Sequence, residues 1–175
     1  PFTSNTAALS FAHGLGVRYS EGLYKNPFIG RTFIMATQGK RVRSVRRKLS
    51  PQMTELQDKN VLLLDDSIVR GTTSREIVNM VKECGAKKVY FVSACPPVKH
   101  PCYYGIDIPT SDELIGAQKS IDEIQAYLGV DGLLYQSIDD LVEAVTRKGG
   151  HQKDANPCLA CLNGQYFCGK DDTVS

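Results

Sequence analysis

The chain has 175 residues, of which 42% are hydrophobic and 23% charged, with a formal net charge of +2. That is long enough for one domain with an ordinary core and normal for a soluble globular protein. No apolar run approaches the ~18 residues that would suggest a membrane-spanning helix. No signal peptide is recognised, and the first residue is Pro1 rather than Met, so the chain is expected to be a processed, truncated or excised piece. The small net charge conceals an uneven distribution. Seven of the 21 bases (Arg31, Lys40, Arg41, Arg43, Arg46, Arg47 and Lys48) fall within residues 31–54, which hold no acid. The other 14 bases face all 19 acids, so positive charge is concentrated in one segment. Concentrated positive charge suits a polyanionic ligand.

In chain order, residues 6–16 read as a helix closed by glycine and residues 32–35 as a strand. Residues 36–54 read as a long polar loop, itself a functional hint. Val61–Asp65 reads as a buried strand. Residues 72–84 read as a helix with Ile77, Val78 and Val81 on one face and Gly85 as its stop. Val89–Ala94 is the next strand, and a helix between two strands makes a βαβ unit with parallel pairing. Residues 111–117 and 120–128 read as short helices, 133–136 as a strand and 139–147 as a terminal helix. Gly149-Gly150 then opens a polar, cysteine-bearing tail. No internal repeat is present.

The stretch Val61-Leu-Leu-Leu-Asp-Asp-Ser-Ile-Val-Arg-Gly-Thr-Thr73 carries the most chemistry. An apolar strand ends in two acids, a small polar turn with a glycine follows, and a helix begins. In an open α/β sheet the carboxyl edge is where ligands bind. Backbone N–H groups and hydroxyls of such a turn suit a phosphate, and paired carboxylates suit sugar hydroxyls or a Mg²⁺-bound ligand. Adjacent strand residues point to opposite faces, so Asp65 and Asp66 reach one ligand only where the strand is ending. The plain alternative is a solvated turn with Asp66 or Ser67 capping the helix. For the basic segment the alternatives are a solvated face or a nucleic-acid patch. No aromatic residue lies between Ala36 and Ser50, which weakens the single-strand stacking version.

Six cysteines are present, without the features of a secreted disulfide framework. Cys84 and Cys95 fall in or beside core elements and read as small buried hydrophobes. Cys158-Leu-Ala-Cys161 is a CxxC whose options are redox chemistry, half a zinc site or an iron–sulfur ligand pair. His13, His100 and His151 show no metal spacing.

The 61–73 stretch resembles the PRPP-binding motif of the type I phosphoribosyltransferases, in the form found in the glutamine PRPP amidotransferase family. Gly30-Arg-Thr-Phe-Ile-Met35, Ser44-Val-Arg-Arg-Lys-Leu49, Tyr104-Gly-Ile-Asp107 and Glu113-Leu-Ile115 resemble further segments of that family, in its order. The resemblance implies an α/β type I phosphoribosyltransferase fold over residues 1–148, a mainly parallel sheet flanked by helices with a flexible catalytic loop, and a C-terminal tail over 149–175. It implies an enzyme that displaces pyrophosphate from PRPP with ammonia in the first step of purine synthesis. Asp65 and Asp66 would face the ribose hydroxyls and Mg²⁺, and Ser67, Val69, Arg70, Gly71, Thr72 and Thr73 would cradle the 5-phosphate. Arg46 and Lys48, on a loop that closes over PRPP, would contact the pyrophosphate, Lys48 foremost. Ser4 is either a hydroxyl ligand near Mg²⁺ or, with Asn5, an ordinary helix cap; Phe2 stands where the family commonly has an acid.

A subset of the family carries a [4Fe–4S] cluster, which here implies Cys102, Cys158 and Cys161 as three of its four ligands; Cys168 has no counterpart. The resemblance also implies a glutaminase domain with an N-terminal cysteine nucleophile. The first cysteine here is Cys84, so that half-reaction is expected outside this chain. Purine nucleotides as feedback inhibitors, a homo-oligomer at full length and a cytoplasmic location complete what it implies, with neither nucleic acid nor membrane as partner. Two other readings remain open at this stage: a nucleobase-salvage phosphoribosyltransferase, and a non-catalytic sensor of PRPP or purines on the same fold.

Overall fold

The computed structural model describes residues 4–26, 45–46, 48–106, 110–148 and 157–167. The expected strand at 32–35 lies outside the described residues. Helix α1 spans Asn5–Leu15 and stops at Gly16, whose φ of 66° places it in the left-handed region. A short antiparallel pair follows, β1 (Leu23–Lys25) with β2 (Leu49–Pro51), then α2 (Met53–Leu56). The centre of the molecule is a parallel sheet in the order β3-β4-β5. Its strands are β3 (Asn60–Asp65), β4 (Lys88–Ser93) and β5 (Gly132–Tyr135). Helix α3 (Thr72–Glu83) makes the crossover from β3 to β4. A 3₁₀ turn (Ser111–Glu113), α4 (Ile115–Gln118) and α5 (Ile121–Leu128) lie between β4 and β5, and α6 (Ile138–Lys148) and α7 (Ala160–Asn163) follow.

The sheet register follows from alternation. Val61, Val89, Leu63, Phe91 and Leu133 share one face. They meet Val78 and Val81 of α3 and Ile124 and Leu128 of α5 in the main core. Helix α5 begins where Ser120 and Glu123 cap each other's backbone N–H groups, a reciprocal box that satisfies two otherwise orphaned donors. The opposite face carries Leu62, Leu64, Val92 and Leu134. There Leu62 is 44% and Leu134 57% exposed.

Three expectations need correction. The strand at 61–65 is not buried on both sides; β3 is an edge of the sheet among the described residues, with alternate residues open. A groove of about 450 Å³ runs between it and α1, from Ser4 and Asp65 down to Leu56 and Lys59. The long loop does not reach residue 54. Val45 and Leu49, one helical turn apart, are buried against Ile77 and Met80 of α3, which fixes the chain from Val45 onward and lets β2 pair with β1. The expected helix at 111–117 is broken at Leu114, whose ψ of 108° turns its side chain into the core while a new helix starts at Ile115.

Candidate functional site

The carboxyl ends of β3 and β4 are tied together by Ala94 N–H, which donates to the Asp65 carbonyl at 3.0 Å. There Asp65 Oδ1 accepts from its neighbour's backbone, Asp66 N–H, and from Ser4 Oγ, both at 3.0 Å. Burial pushes the Asp65 carboxyl above its usual range, and the adjacent charge of Asp66 adds to the shift; the two hydrogen bonds oppose it. Removing a carboxylate from water without a counter-ion has this effect. Ser4 begins α1 without capping it through its side chain, so its hydroxyl is committed to Asp65 rather than to the helix end. Asn5 donates to Glu21 at 3.4 Å. Of the two readings of this corner, the ordinary side-chain cap by Ser4 or Asn5 is therefore not what forms.

Beyond Asp65 the chain makes a turn over the start of α3. Asp66 is exposed, and Ser67 Oγ donates to it at 3.4 Å. Ile68 is plugged into the core at 2% exposure. Gly71 precedes α3 with φ +75°, and a Cβ there would meet Ile115 Cδ1 at 2.7 Å and Tyr127 Cε1 at 3.1 Å. Both the left-handed backbone and the close approach favour glycine. No side chain caps α3, and its first turn contains no acid. Its leading N–H groups therefore form an electropositive end suited to an anion. Thr72 and Thr73 open this helix, with Thr73 exposed.

The structure thus brings Ser4, Asp65, Asp66 and the 67–73 turn to one edge. Asp65, Asp66 and Ser4 offer hard oxygen donors, one of them a half-buried carboxylate beside a second acid. That is the donor chemistry Mg²⁺ takes when substrate oxygens and water supply the remaining ligands. Arg46 lies elsewhere: its guanidinium pairs with the α3 carboxylates Glu76, through Nε, and Glu83, at 2.7 and 2.9 Å. These bonds raise the Arg46 pKa and lower that of Glu83. A pyrophosphate contact by Arg46 would require leaving both acids. The Lys48 carbonyl accepts from Asn26 N–H at 2.8 Å, which fixes its backbone beside β1. The remainder of the expected catalytic loop, residues 36–44 and 47, lies outside the described residues.

Cys95, Cys102, Cys158 and Cys161 lie near one another where the tail packs on the 95–102 segment. The Cys161 carbonyl accepts from Lys99 and His100 N–H at 2.9 and 3.0 Å. Tyr166 stacks near Tyr103 with ring centroids 5.0 Å apart and donates to the Pro101 carbonyl at 2.8 Å. Burial raises the Cys161 pKa, and the nearby Cys102 and Cys158 add to the rise. The pKa of half-buried Cys95 is pushed up to about 11 by desolvation. Yet no group of three His, Cys, Asp or Glu among the described residues is spaced to hold a metal ion. The three thiols therefore converge without forming the ligand geometry of a cluster.

Sequence reasoning gave no role to the residues that brace the turn: Glu113, Ile115 and Tyr127. For Glu113 and Ile115 the signal was the Glu113-Leu-Ile115 motif, whose contacts become visible only once the chain folds back, and Tyr127 carried none. Arg70 Nε donates to Glu113 at 2.6 Å, and the Arg75 guanidinium lies 4.9 Å over the Tyr127 ring.

No family model matches the chain. Among curated proteins it is 48% identical over 169 residues to the amidophosphoribosyltransferase of Pseudomonas aeruginosa, an alignment covering 97% of this chain and 33% of the relative. A solved glutamine phosphoribosylpyrophosphate amidotransferase from B. subtilis, complexed with ADP and GMP, superposes with a TM-score of 0.78 at 43% identity, covering 93% of this chain and 35% of that one. A structure described as the allosteric regulatory enzyme of purine biosynthesis gives 0.80 at 44% identity, covering 97% and 36%. The chain spans about a third of the length of the curated relatives it matches. Over nearly all of its residues, the chain belongs to the amidophosphoribosyltransferase family.

Proposed function

We propose that this chain is the phosphoribosyl-transferring part of a glutamine PRPP amidotransferase, with residues 1–148 as the transferase domain and 149–175 as a tail. The reaction is displacement of pyrophosphate from C1 of PRPP by ammonia, giving 5-phosphoribosylamine. The observation that carries the reading is the pairing of Asp65 and Asp66 with the uncapped start of α3 across one short turn. The turn from Ser67 to Thr73 takes the 5-phosphate, and the two acids take the ribose hydroxyls. Asp65, Asp66 and Ser4 hold Mg²⁺, which when bound offsets charge on the pyrophosphate. Lys48 faces the pyrophosphate, where a fixed cation stabilises the leaving group as its bond to C1 breaks. Arg46 can join it only on release from Glu76 and Glu83. Positioning and charge carry the rate, with little proton transfer asked of side chains.

Ammonia comes from a glutaminase domain outside this chain, and the ADP and GMP bound to the B. subtilis relative support nucleotide feedback. A full-length homo-oligomer in the cytoplasm belongs to the same reading. No helix among the described residues is long and apolar enough to cross a membrane. A [4Fe–4S] cluster gains less support from thiols that gather without metal-holding geometry, and no part of the reaction runs through it.

The test is PRPP consumption with ammonia and Mg²⁺, on this chain and on the full-length protein, alongside PRPP binding. Hydrogen bonds to a charged group are worth about 1.5–3 kcal/mol, so the Asp65→Asn/Asp66→Asn double variant should lose at least about tenfold in PRPP affinity. Unchanged affinity would remove the core of the reading. PRPP binding without ammonia-dependent pyrophosphate release in the full-length protein would favour a sensor.

A further inference from the structure

The phosphate turn is gripped from outside by three consecutive residues. Ile115 N–H donates to the Val69 carbonyl at 3.0 Å. Glu113 accepts from Arg70 Nε at 2.6 Å. Ile115 Cδ1 occupies the space a Cβ on Gly71 would need. Leu114 between them is fully buried and packs with Val98 and with Leu162 of the tail. Its buried side chain anchors the strip, so its two neighbours hold residues 69, 70 and 71 from a fixed base.

Two of these grips are backbone and packing contacts that any folded state of this region would keep. The Arg70–Glu113 pair is different. Its side chains are 28% and 46% exposed, and pairs so open to solvent contribute at most about 1 kcal/mol to stability. Electrostatically, a carboxylate beside a site for a dianion is unfavourable. It also commits Arg70 Nε to a carboxylate rather than to a phosphate. What the pair does supply is a fixed direction for Arg70, and with it a fixed backbone between Val69 and Gly71, whose N–H groups adjoin the start of α3. Binding sites lose affinity when such donors drift by about half an ångström.

We propose that Glu113 is a positioning residue for the phosphate turn, acting through Arg70 to hold the 69–71 backbone in place for a phosphate monoester. The proposal rests on the phosphoribosyl reading of the site. The rival account, in which Glu113 merely tunes local charge, has the opposite sign: removing the carboxylate would free Arg70 and tighten anion binding.

Calorimetric titration of this chain with ribose 5-phosphate separates them. Glu113→Gln should weaken binding about three- to fivefold, the range an exposed ion pair can supply, with the melting temperature moving by less than about 2 °C. Arg70→Gln should produce the same loss, and the double variant no more than either single one, because the two act as a unit. The charge exchange Arg70→Glu/Glu113→Arg should recover most of the affinity. If Glu113→Gln does not fold, Glu113→Asp, which keeps the charge but shortens the reach, takes its place with the same expectation. Unchanged or tighter binding, additive losses, or a loss that tracks a falling melting temperature would overturn the positioning role. Wild-type chain that does not bind ribose 5-phosphate would overturn the phosphoribosyl reading and this inference with it. Wild-type binding that Asp65→Asn/Asp66→Asn weakens and Glu113→Gln does not would overturn this inference alone.

Discussion

Asp65 shows how the site trades stability for ligand affinity. Its pKa is raised in the folded chain, chiefly by burial and then by Asp66. An acid with a raised folded pKa contributes stability that is fully present below its unfolded pKa and is lost as pH rises through the folded one. Once pH has risen through the folded pKa, the ionised Asp65 therefore burdens the ligand-free fold. Asp65→Asn keeps an oxygen for Ser4 Oγ and Asp66 N–H and removes that burden. We expect its melting temperature at pH 7, without Mg²⁺ or PRPP, to rise by on the order of 2 °C. The gain should vanish in acid below the ordinary aspartate range, while PRPP binding falls; thermal melts across pH check both. The place of the acid pair at a strand end was legible from sequence because an apolar run stops at two acids and a small polar turn follows. The partner of Ser4 was not, because Asp65 lies 61 residues away and a serine before a helix is ordinarily its cap.

At the scale of elements, local pattern revealed what local physics decides. Helix α3 and the strands on either side of it formed where apolar spacing and Gly85 placed them, and α5 formed where Ser120 and Glu123 stand three apart. Elements held by distant contacts were missed. Strands β1 and β2 have three residues each, too few for a periodic signal, and the charge of residues 45–49 masks Val45 and Leu49. Those two side chains decide the matter. Leu49, at 6% exposure, should cost about 2–4 kcal/mol when replaced by alanine. The adjacent exposed Ser50→Ala should stay within about 0.5 kcal/mol. Urea unfolding of both variants checks this, and equal, negligible effects would return residues 45–50 to a loose loop.

At the scale of the whole molecule, the parallel sheet packs one face against α3 and α5 among the described residues. Parallel sheets are ordinarily covered on both faces, yet among the described residues Leu62 and Leu134 stand open and β3 has no strand on the side away from β4. An uncovered strand edge is a template on which other chains can add. Where that edge is left bare, copies of the chain should join edge to edge at roughly micromolar to millimolar concentration. Leu62→Lys, a charge set on the open face, should suppress that association in light scattering without weakening the fold. The groove beside α1 thereby carries a practical consequence: for chains joined through this edge, the concentration at which they can be studied is governed by that flank rather than by the chemistry at Asp65.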